Sequence, residues 1–178
     1  MIMNKLKLDH IEQQAEKVLR DTKAWQVPVP IDLVAHGLNL KTEASVLGDD
    51  ISGLLVVENK RGAIGYNSTH ARVRQRFTVA HEIGHYVMHV KNSTQSRLFI
   101  DRYVAFRDDE SSAGSDWEEV EANAFGAALL MPARLVREEI KKHRLDLDDE
   151  DDLSDLAKRF HVSTSAMSYR LVNLGLLR

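Results

Sequence analysis

His81, Glu82 and His85 stand in the pattern His-Glu-x-x-His, within the stretch Phe77-Thr-Val-Ala-His-Glu-Ile-Gly-His-Tyr-Val-Met-His89. Residues four apart on an α-helix lie about 6 Å apart along its axis and about 40° apart around it, so both imidazoles share a face. One metal ion can reach both rings. Zinc takes neutral imidazole nitrogens at about 2.0 to 2.1 Å, and a catalytic zinc keeps three protein ligands and an open position. Glu82, next to the first histidine, is placed to take a proton from water activated in that position. This is the chemistry of peptide hydrolysis, with His81 and His85 as expected metal ligands and Glu82 as expected general base.

The third ligand must be sought elsewhere. There is no cysteine, so only His, Asp and Glu remain. His89 extends the pattern to a third histidine, but it lies about 12 Å along a straight helix from His81, too far for three rings to meet one ion. It is left as a substrate contact or an ordinary helix-end histidine, and Tyr66, His70, Tyr86 and His89 are candidates for a second oxyanion donor. A second apolar helix begins near Ser115 or Asp116, each followed by Glu three residues on in capping-box spacing, and runs to Met131-Pro132. It offers Glu118, Glu119 and Glu121. The first two suit the helix dipole of a first turn. Glu121 borders the packing face of Val120, Ala124, Ala127 and Ala128, where a carboxylate needs a cation.

The elements that position these residues are those of a soluble chain. Its 178 residues are 43% hydrophobic and 29% charged, with a net charge of -3. That size suits one domain with a substantial core, and the charge provides no overall basic field for nucleic acid. The N-terminus has no apolar signal core and no apolar run is long enough to span a bilayer, so a cytoplasmic location is expected. Leu8 to Arg20 has the periodicity of an amphipathic helix, and a short helix is expected from about Pro30 to Gly37, with His36 as a C-terminal dipole partner. Ile51 to Val57 and Ala63 to Tyr66, separated by a polar turn, predict a hairpin just before the metal-binding helix. Asn67 or Ser68 is expected to cap that helix, Val73, Phe77, Ala80, Gly84 and Val87 to form its buried stripe, and Gly84 to admit a close backbone.

Further along, Leu98-Phe-Ile and Tyr103 to Phe106 have strand character, and Arg107 onwards is polar loop. A helix is expected from Pro132 to His143. The acidic run Asp146 to Asp152 lacks the spacing of a calcium loop and is expected to be a solvated loop or helix cap. Leu153 to Leu171 has a helix-turn-helix rhythm, with a first helix ending near His161, Ser163 capping the second, and Ala166, Met167, Leu171 and Leu174 inward. A recognition helix there would present Ser165, Ser168, Tyr169 and Arg170 to DNA, although cations are few and the acidic run would repel phosphates.

His81-Glu-Ile-Gly-His85, followed by Glu119-Val-Glu121-Ala-Asn-Ala-Phe-Gly-Ala-Ala-Leu-Leu-Met-Pro132, resembles the ImmA/IrrE family of bacterial and phage metallopeptidases. The likeness extends to Gly65-Tyr-Asn67 and Arg76-Phe-Thr78 upstream, and to Leu156 to Ser163 and Arg170 to Leu176 downstream. The resemblance implies an α+β, mostly helical zincin-like domain over residues 1–145, with a small sheet or hairpin before the His-Glu-x-x-His helix. A helix-turn-helix-like C-terminal segment, 146–178, would pack on it. It implies one zinc ion per chain on His81, His85 and Glu121, with Glu82 catalytic. It also implies an endopeptidase acting on a helix-turn-helix (XRE-type) transcriptional repressor of a phage, mobile-element, toxin-antitoxin or stress-response system. Better-known gluzincins orient a histidine with an Asp four residues after the glutamate ligand; four residues after Glu121 stands Phe125. The alternative is a DNA- or protein-binding regulatory module without peptidase activity.

Overall fold

The computed structural model describes residues 5–48, 50–58, 61–91, 96–102 and 113–177. The chain begins with α1 (Lys5–Asp21) and α2 (Ile31–Gly37), continues through β1 (Leu40–Ser45), β2 (Ile51–Glu58) and β3 (Arg61–Asn67), and enters α3 (Arg72–His85). Then follow a π-helical segment (Tyr86–Val90), β4 (Arg97–Arg102), α4 (Ala113–Leu130), α5 (Ala133–His143), α6 (Glu150–Phe160) and α7 (Thr164–Asn173). The class is α+β, as expected. Among the described residues no helix is long and apolar enough to cross a membrane.

The expected hairpin forms as β2 and β3, antiparallel with Leu55 opposite Ile64. Two further strands complete the sheet in the order β1-β3-β2-β4, β1 parallel to β3 and β4 antiparallel to β2. Alternation decides which side is buried: Leu55, Val57 and Ile64 face the helices, while Val56, Leu98 and Ile100 are exposed. The strand expected at Leu98 to Ile100 is β4, whereas Tyr103 to Phe106 and most of the polar loop beyond lie outside the described residues.

α3 lies between the sheet and α4, burying Val79, Ala80 and Ile83 with Phe125, Ala128 and Leu129. Glycine permits this crossing. A Cβ on Gly84 would stand 2.9 Å from the Ala122 carbonyl oxygen and 3.0 Å from its Cα, and one on Gly126 would stand 3.2 Å from the His81 nitrogen. Each helix thus brings a glycine to the other's backbone, as Gly84 predicts. Val73 departs from the expected stripe, being 36% exposed at the start of the helix.

Two expected caps are replaced. Ala71, with no side-chain hydrogen bond, precedes α3. Asn67 is drawn away by the loop before β2: its amide donates to the carbonyls of Gly48 (3.3 Å) and Ile51 (3.0 Å), and its Oδ1 accepts from the Thr69 backbone (3.1 Å). α4 begins at Ala113, so Ser115 and Asp116 are inside it rather than before it. In the C-terminal segment the expectations hold locally. Asp149 of the acidic run caps α6, Ser163 caps α7, and Met167 and Leu171 are buried.

Candidate metal centre

α3 carries His81, Glu82 and His85 to the interface with α4, where all three are buried. His81 Nε2 and His85 Nε2 stand 3.0 Å apart, and both face one carboxylate, that of Glu119 on α4. Its Oε2 is 3.2 Å from His81 Nε2 and its Oε1 is 3.1 Å from His85 Nε2. Two imidazole nitrogens and one carboxylate thus meet closely enough to serve as three ligands of one ion, the number that leaves a position open for water. His81, His85 and Glu119 form a group able to hold a metal ion.

The structure therefore brings Glu119 to the histidines where the sequence pointed to Glu121. Two residues along a helix turn the side chain by about 200°, and only one of the pair can face α3. Glu121 faces α1 instead, where it pairs with Lys7, whose ammonium also lies 5.1 Å from the centre of the Trp117 ring. The carboxylate at the seam does have a cation, but it is a lysine. The shift of two residues also removes the apparent departure at Phe125. Four residues after Glu119 stands Asn123, whose Oδ1 lies 3.1 Å from His81 Nδ1. With Nδ1–H donating to the amide oxygen, the lone pair of His81 is left on Nε2, the nitrogen that faces Glu119. Phe125 is instead fully buried in the core. Glu118 is held away from the histidines by Arg97 of β4, at 3.3 Å.

Glu82 is fully buried, and among the described residues neither carboxylate oxygen has a hydrogen-bond partner. It lies against β2, where a Cβ on Gly53 would come within 3.3 Å of Oε1. Burial is the main cause that lifts its pKa to about 8, His81 opposes, and Asp101 and Glu119 add to the rise. The neighbours behave as the converse. Burial acts to raise Glu119, but hydrogen bonds from both histidines outweigh it and hold the carboxyl well below the usual range. Burial acts to lower His81, and the Glu119 hydrogen bond, helped by Glu82 and Asp101, raises it overall.

Asp101 of β4 is the functional candidate that the sequence reading missed: single ligand atoms of His81, Glu82 and Asp101 lie within 4.8 Å of one another. No motif or spacing marks it, because its place depends on β4 pairing with β2, which sets Asp101 opposite Gly53. Phe99 on the same strand stacks on His85 with ring centres 4.5 Å apart.

Of the other candidates, His89 stays outside the metal group, as its spacing predicts. The helix does not run straight to it, changing to π geometry after His85, and His89 Nε2 ends 3.8 Å from Glu121 Oε2. Tyr66 lines a cleft at the start of α3 and makes no hydrogen bond to the histidines or Glu82 among the described residues. Arg170, offered above as a DNA contact, is buried. It donates to both oxygens of Glu12 (2.5 and 2.9 Å) and from Nε to the Met131 carbonyl (2.9 Å), and so ties α7 to α1 and to the end of α4. Buried and held at three points inside the fold, this guanidinium is not presented to a groove. Tyr169, by contrast, is 74% exposed.

Comparison with known families agrees with this geometry. Residues 35–172 match the IrrE N-terminal-like domain, peptidase M78. The chain belongs to the ImmA/IrrE family. Its matched region runs from α2 through the metal group to α7, so the function is of the metallopeptidase type. No curated protein matches the sequence.

Proposed function

We propose that this chain is a zinc-dependent endopeptidase that cleaves a helix-turn-helix transcriptional repressor, with zinc held by His81, His85 and Glu119. The convergence of those three side chains on one point, with the Glu82 carboxylate beside it, carries the reading. Zinc in that position supplies a Lewis acid that acidifies water and polarises a carbonyl. The chain's own residues supply the rest. Asn123 orients His81, and the opposed helices α3 and α4 fix the angle between the histidines and Glu119. Glu82 accepts the proton of the attacking water on a carboxylate oxygen and returns it to the nitrogen of the leaving amine.

The repressor as substrate rests on the family likeness of both motifs. The test is to incubate the zinc-loaded chain with a helix-turn-helix repressor encoded beside it. The wild type is expected to produce two defined fragments, and Glu82→Gln to bind zinc equally well and produce none. Cleavage by Glu82→Gln at the wild-type rate would remove Glu82 from the mechanism, and an intact repressor with the zinc-loaded wild type would refute the assignment of that substrate.

A further inference from the structure

The first turns of α3, the start of α2 and the turn between α6 and α7 enclose a cleft of about 370 Å³, away from the histidine pair. Its volume is within the range of small-molecule sites, roughly 300 to 1,000 Å³. Charge makes it unusual. Arg72 and Arg76, four residues apart on one side of α3, both line it, with Lys158 and His161 from the opposite wall and a single acid, Asp32. Arg76 is fixed in place: it donates to the carbonyls of Val29 (2.9 Å) and His161 (3.3 Å). Those carbonyls position the guanidinium without cancelling its charge. Among the described residues Arg72 has no ion pair, and its charge acts against that of Arg76, whose pKa is lowered chiefly by burial, opposed by Asp32 and lowered further by Arg72. Like charges at neighbouring positions on one helix are unfavourable, and here two guanidinium groups and an ammonium face one cleft with one carboxylate. Lys158 is exposed and pairs across the surface with the accessible Asp155, 2.8 Å away, a solvent-screened contact that an anion in the cleft can compete with. Apolar side chains complete the walls, including Val73, which departs from the buried stripe of α3 to line this cleft.

We propose that this cleft is a binding site for a small phosphate-bearing molecule, with Arg72, Arg76 and Lys158 on the phosphate and the apolar wall against the remainder. A phosphate suits a lining in which cations outnumber the one acid, and planar guanidinium groups pair with its oxygens with a geometry that an ammonium lacks. The site does not depend on the peptidase reading. It shares α3 with the metal group, since Arg76 and His81 are five residues apart on that helix.

The test is calorimetric titration of the zinc-loaded full chain with phenyl phosphate, and with phthalate as a dianion of carboxylate chemistry. Wild type is expected to bind one phenyl phosphate, at least tenfold more tightly than phthalate. Arg72→Gln, at an exposed position, should weaken binding by about tenfold. Asp32→Asn, which removes the opposing charge, should tighten it. Absence of saturable binding at millimolar phenyl phosphate would overturn the proposal. So would binding unaffected by Arg72→Gln, which would place the ligand at the metal instead, or phthalate bound as tightly as phenyl phosphate.

Discussion

Exchanging Glu119 and Glu121 in turn for Gln decides which α4 carboxylate belongs to the metal. The two positions are two residues apart and face different partners: Glu119 meets both histidines at 3.1 and 3.2 Å, while Glu121 meets Lys7 of α1. Loss of a residue that only orients a ligand costs about 10- to 100-fold in metal affinity. Loss of a ligand must cost more, so Glu119→Gln is expected to weaken zinc binding by at least about 100-fold, which is about 2.7 kcal/mol. Glu121→Gln removes one partner of a partly exposed ion pair and should cost at most about 1 kcal/mol of stability, leaving zinc affinity within a few-fold of wild type. Competition for zinc against a chromophoric chelator measures both, with circular dichroism to show that each variant is folded. Zinc lost from Glu121→Gln and kept by Glu119→Gln would refute the ligand set and the orientation of α4 on which it rests.

The neighbours of that centre respond in graded ways. Asn123→Ala removes the group that accepts from His81 Nδ1, so zinc affinity should fall about 10- to 100-fold in the same competition assay. Gly84→Ala puts a methyl group 2.9 Å from the Ala122 carbonyl oxygen and 3.0 Å from its Cα, both of them backbone, so the helices must separate. Overpacking of this kind costs about 1 to 3 kcal/mol, read from urea unfolding, and zinc affinity should fall with it. In the metal-free chain Glu82→Gln should stabilise the fold increasingly with pH. A buried acid whose folded pKa is about 8, against an ordinary 4.5, binds more protons folded than unfolded between those values, so wild-type stability is lost as pH rises through that window. Thermal midpoints of the two chains should therefore be close near pH 5 and separate toward pH 8, and a constant difference would refute the buried placement of Glu82.

How much of this was legible in the residues depends on how far each feature reaches along the chain. His81, Glu82 and His85 are a local pattern whose geometry follows from one helix, and the structure brings the histidines together as that geometry requires. The hairpin of β2 and β3 and the Ser163 cap of α7 are likewise local. The α4 partner was harder to read. Glu119 and Glu121 are equally acidic and both flank apolar positions, and helical periodicity leaves the rotation of α4 undetermined until its neighbours are placed. Two neighbours set it: Gly126 against the backbone at His81, and Lys7 of α1 against Glu121. The same dependence hides Asp101, which acquires its position only through the register of β4 on β2. Arg170 shows the same dependence, since a cation on a helix after a turn has the sequence signature of a DNA contact until its packing is known. Its true partner, Glu12, is 158 residues away. Because Lys7 and Glu12 both come from α1, outside the matched region 35–172, the N-terminal helix grips the catalytic domain at two points, through α4 and through α7. The orientation of Glu119 toward the histidines is thus partly a property of residues that precede the family domain, and the metal site is built from more of the chain than its motif.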